Sequence, residues 1–73
     1  MNKKLYDMLK LSAETDKAKA LLTLELLTKH AAGIGDHSTG DFYENAEEAL
    51  KLLSSAEGRI KILEEYFYIK GII

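Results

Sequence analysis

The segment from Ala31 to Asp41 holds the densest set of groups in this chain that can do chemistry: Gly33, Gly35, Asp36, His37, Ser38, Thr39 and Asp41. Glycines expose backbone amides, and a helix beginning just beyond them adds its positive N-terminal end, so such a segment can hold a phosphate or carboxylate. Ser38 and Thr39 would add hydroxyl donors, and His37 charge or proton transfer. As a nucleotide motif the pattern is poor. Gly-Ile-Gly-Asp-His-Ser lacks the lysine and the spacing of a phosphate-binding loop, and it follows no predicted strand. Asp36 and Asp41 would also repel an anion. The segment therefore reads first as a turn between two helices, with binding of a small phosphorylated or anionic ligand as the alternative.

Other chemistries are poorly provided for. Asp36, His37 and Asp41 make an incomplete shell for a divalent ion. There is no cysteine to supply a thiolate and no E-x-x-H pair of the kind a carboxylate-bridged bundle needs. Ser38 adjoins His37, but neighbours in sequence rarely reach the geometry of an activated nucleophile. We expect no catalytic residue, metal or cofactor, and hence no enzyme.

The elements that position this segment are clearer. Phe42, Ala46, Ala49, Leu53, Ala56, Ile60, Leu63 and Phe67 recur at alternating steps of four and three. That spacing is the stripe of a helix packed lengthwise on another helix. Both halves of the chain are rich in Leu, Ala, Lys and Glu, and proline is absent. We read helix one over about 2–30, a turn over about 31–40 and helix two over about 41–69, together one domain spanning 1–73. Gly33 suits the end of helix one, and Asp41 with Glu44 forms a D-x-x-E start for helix two, unless Ser38 or Thr39 starts it earlier. Helix one is less regular: Leu5 and Leu9 lie on one stripe, Ala20, Leu24, Leu27 and Ala31 on another. We expect a break or a rotation of the buried face near Ser12–Asp16. Gly58 weakens helix two locally, yet the stripe keeps its phase across it.

A 73-residue chain buries too little surface for much stability of its own, and the leucines at 21, 22, 24, 26 and 27 cover more of the helix than one partner can bury. The expected fold is all-α, an antiparallel hairpin completed to a four-helix bundle by homodimerisation. The residues expected to pack it are Leu21, Leu22, Leu24, Leu27, Ala49, Leu53, Ile60, Leu63 and Phe67. Tyr66, Tyr68, Ile72 and Ile73 would pack near Leu5, Tyr6 and Leu9, or on a partner chain. Ten Lys and Arg against twelve Asp and Glu leave a net charge of −2, which argues against nucleic-acid binding. Nothing reads as a membrane span or a secretory signal, and the cysteine-free composition suits the cytoplasm.

The run from Ala18 to Leu22, the Gly33-Ile34-Gly35-Asp36-His37-Ser38 turn and the run from Asn45 to Leu50 resemble small proteins of unknown function from marine tailed phages, including cyanophages. The similar part spans roughly residues 18 to 67. The resemblance implies an accessory role in the cytoplasm of an infected cell, through binding to a host or phage protein. It transfers no catalytic residue.

Overall fold

The computed structural model describes residues 1–30 and 39–68, apart from the side chains of His30 and Thr39. Two helices, α1 (Lys3–His30) and α2 (Thr39–Tyr66), each of 28 residues, pack against each other as a hairpin, with no strand among the described residues.

Local chemistry sets the helix ends. Asn2 caps α1: its Oδ1 accepts from the Leu5 N–H at 2.8 Å, and its carbonyl accepts the first helical bond from the Tyr6 N–H at 3.0 Å. No acid occupies the first turn of α1, where Lys3 opposes the positive end of the helix dipole. The Lys3–Asp7 ion pair, 2.6 Å long and one turn along, offsets this. Helix α2 begins at Thr39, earlier than the D-x-x-E pattern suggests. Gly40 and Asp41 therefore lie inside its first turn, where the Asp41 carboxylate complements the dipole. At the far end, the Phe67 N–H donates to the Leu63 carbonyl at 3.0 Å. The last turn of α2 carries no base. Its acids are instead met by Lys61, 3.9 Å from Glu65, and by Lys10 of the other helix, 3.1 Å from Glu64. The expected end at Ile69 lies outside the described residues.

Helix α1 runs without a break through Ser12–Asp16, and its buried face does not rotate there. Tyr6, Ala13 and Ala20 are buried at intervals of seven, with Leu27 half-buried at the next step. The stripe runs one residue out of phase with Leu5, which faces solvent. Ala49, Ala56 and Leu63 mirror it on α2, half-buried Phe42 begins that series, and Ala46, Leu53 and Ile60 are half-buried beside it. The inter-helix pairs Lys10–Glu64 and Lys17–Glu57 step seven residues up one helix and seven down the other. That relation fixes an antiparallel seam in heptad register.

Of the six residues buried among those described, four are alanines, so the middle of the seam brings the helix backbones close. Large side chains, Tyr6 and Leu63, close one end, and Leu27 and Phe42 flank the other. Gly58 sits inside α2, and a Cβ built on it meets nothing within 4 Å. Gly58→Ala should therefore stabilise the fold by about 1 kcal/mol, by removing glycine's excess backbone entropy. Urea denaturation checks this; an unchanged or lower midpoint contradicts it.

Candidate interaction surface

Of the residues expected to bind a ligand, Gly33, Gly35, Asp36, His37 and Ser38 lie outside the described residues. Thr39 opens α2, and Asp41 is exposed in its first turn. Among the described residues, no three or more His, Cys, Asp or Glu side chains gather as a metal site, and no helix is long and apolar enough to cross a membrane.

The residues expected to pack an oligomer divide into two sets. Ala49 and Leu63 are buried in the chain's own seam, and Leu24, Leu27, Leu53 and Ile60 are half-buried along it. Leu21, Leu22 and Phe67 are exposed. Leu50 and Ile62, which in the sequence widen the apolar face of helix two beyond its narrow stripe, are 59% and 52% exposed. Each lies one position from a seam residue (Ala49, Leu63), which carries it off the narrow stripe onto a flank. Tyr66 and Tyr68 are also exposed rather than packed on α1, while Ile72 and Ile73 lie outside the described residues.

The hairpin has two long flanks. On one, Lys10 and Lys17 of α1 bridge to Glu64 and Glu57 of α2 at 3.1 and 3.5 Å, and Glu14, Leu21 and Ile60 line the groove between them. The hydrogen bond to Glu64 holds the Lys10 ammonium above its ordinary value of 10.5; desolvation partly offsets this, and the charges of Tyr6, Glu64 and Glu14 add to it. Lys10 Nζ stands 5.9 Å from the centre of the Tyr6 ring. Because the folded value is raised, the contribution is fully present below pH 10.5 and is lost only as pH climbs through the folded value. Neutral and mildly alkaline solutions leave it intact.

The opposite flank centres on Asp16 and Arg59. Arg59 Nη2 donates to Asp16 Oδ2 at 2.9 Å, while Arg59 Nε lies 3.3 Å from the Ser55 carbonyl and 3.2 Å from Ser55 Oγ. Ser55, one turn back, thus aims the guanidinium across the seam. Toward the turn this flank is lined by Thr23, Asn45, Glu48 and Leu52. Toward the open end an apolar groove of about 290 Å³ lies between Leu9 and Ile62. An Asp–Arg pair within a heptad seam favours one register over slipped ones. The side chains remain 29% and 40% exposed, so a double-mutant cycle with Asp16→Ala and Arg59→Ala should give a coupling of only about 0.5–1 kcal/mol. A coupling near zero would show that the pair does not hold the register.

Among the described residues, nothing in this surface arranges a nucleophile, base and oxyanion donor together. What it offers is apolar side chains on two flanks, bordered by ion pairs. No family model matches the chain, and comparison with curated proteins and with solved structures returns no match.

Proposed function

We propose that this chain is a non-catalytic assembly module whose copies pair into a four-helix bundle and whose remaining exposed apolar residues bind another protein. The observation that carries this reading is the contrast between seam and surface. The seam buries chiefly alanine, whereas Leu21, Leu22, Leu26 and Leu50 stay 47–59% exposed. Removing a leucine side chain from water is worth about 1.5–3 kcal/mol, far more than burying an alanine methyl. The largest apolar contribution available to this molecule is thus left in solvent by a single copy, and pairing recovers it. Tyr66 and Tyr68, 72% and 49% exposed at one end, have the amphipathic character of protein-recognition surfaces. The likeness of the 33–38 turn to marine phage proteins supports an accessory role in the cytoplasm of an infected cell, with a host or phage protein as the partner.

Sedimentation equilibrium over a wide concentration range tests the assembly. The expected result is a species of twice the 8.2 kDa chain mass, with helicity and thermal midpoint rising with concentration. A fully folded species at the single-chain mass at the highest concentration would overturn the reading.

A further inference from the structure

The flank bridged by Lys10–Glu64 and Lys17–Glu57 has a third member in the same series. One heptad nearer the turn, Leu24 on α1 stands level with Leu50 on α2, where the two preceding layers have a lysine and a glutamate. Leu21 and Leu53 occupy the adjoining layer, one heptad from Glu14 and Ile60, which line this same groove. Leu21 and Leu50 are exposed, and Leu24 and Leu53 are half-buried.

We propose that a second copy of this chain docks on this flank, related to the first by a two-fold axis parallel to the helices. The inference rests on the dimer reading above and specifies its face and symmetry. Such an axis sets α1 of one copy against α2 of the other at equal height. Lys10 and Glu64 already share one height within a chain, so the rotation brings Lys10 opposite the partner's Glu64 and Glu64 opposite the partner's Lys10. Lys17 and Glu57 repeat the arrangement. Two layers then become squares of alternating charge, and the layer of Leu24 and Leu50 becomes a square of four leucines. The flank is thus complementary to itself in charge and in apolar character. An axis perpendicular to the helices lacks this property, because it sets each helix against its own copy and so does not bring the lysines of one chain opposite the glutamates of the other. Among the described residues the opposite flank has a single ion pair, and its turn-side half is lined by Thr23, Asn45 and Glu48.

The native chain has no cysteine, so site-specific cross-linking starts from a clean background. Leu24→Cys and Leu50→Cys, made as separate chains and oxidised, should cross-link efficiently only when mixed, because the axis opposes Leu24 to the partner's Leu50. In parallel, Leu50→Glu should weaken dimerisation by about 100-fold or more, since each dimer buries two such leucines, whereas Ile62→Glu on the other flank should change it by less than about 3-fold. Leu50 is 59% exposed in the single chain, so its substitution spares the hairpin. A wild-type chain that sediments as a folded monomer overturns both this proposal and the reading beneath it. A wild-type dimer that Ile62→Glu dissociates and Leu50→Glu does not overturns the face alone. Strong cross-linking of Leu50→Cys with itself overturns the orientation of the axis.

Discussion

Replacing Ala13 with leucine should lower the stability of the hairpin by about 2–3 kcal/mol, while the same substitution at Ala18 should change it by less than about 0.5 kcal/mol. The two alanines lie on one helix and carry the same helix propensity, so what separates them is location. Ala13 is fully buried against α2; Ala18 is exposed, beside Lys17 and Leu21 at the edge of the groove on one flank. The added carbons at Ala13 have no room unless the backbones part, and parting them strips contacts from Ala20, Ala49 and Ala56 as well. A domain of this size has roughly 3–5 kcal/mol to lose. The expected fall in thermal midpoint is accordingly on the order of 10–20 °C, at 4–8 °C per kcal/mol. Circular dichroism melts of both variants at matched concentration provide the check. Equal effects at the two sites would mean that the alanine seam is not the tight part of the molecule. Ala56→Leu should reproduce the Ala13 result from the other helix, because Ala56 is equally buried.

The same alanines explain which parts of the fold were legible in the sequence. On α2 the stripe mixes Phe42, Leu53, Ile60 and Leu63 with alanines, so its phase is carried by large residues and survives Gly58. On α1 the large residues mislead. Leu5, Leu11, Leu21, Leu22 and Leu26 are all exposed, and the buried positions belong to Tyr6, Ala13 and Ala20. A reading weighted by hydrophobic size follows the leucines and finds two stripes out of phase. A reading that allows alanine to mark a close backbone approach finds one stripe at intervals of seven. The polar run Ser12–Lys17 looked like a break for a related reason. Its charged members Asp16 and Lys17 are half-buried bridging residues, paired with Arg59 and Glu57, rather than loop residues.

The surface was legible only in outline. An excess of exposed leucine follows from counting apolar residues against the circumference of a helix. Which leucines remain outside, and that Leu50 stands level with Leu24, depends on the register of the hairpin. The charges that set this register, Lys10 with Glu64, Lys17 with Glu57 and Asp16 with Arg59, are distant in sequence. They resemble any solvated helix face until the two helices are laid together.

Tyr6 should give the largest single effect, and its two substitutions should act in opposite directions. Among the described residues it is the one large side chain that is almost wholly enclosed, at 1% exposure, and it closes the open end of the alanine seam. Truncation to alanine removes a whole ring from that site and leaves a void that the helix ends cannot fill. The expected cost is about 3–5 kcal/mol, comparable with the entire stability of a chain this short. Tyr6→Ala should therefore be largely unfolded, or folded only at high protein concentration. Its hydroxyl, by contrast, is buried with no hydrogen-bond partner among the described residues. A buried hydroxyl without a partner costs about 1–3 kcal/mol relative to water. Tyr6→Phe keeps the ring, the packing and the contact with Lys10 Nζ while removing that oxygen. It should raise the urea midpoint, corresponding to about 1 kcal/mol of added stability. A loss of stability in Tyr6→Phe would reveal a hydrogen bond made by the hydroxyl, and would make the ring's site polar rather than an apolar plug.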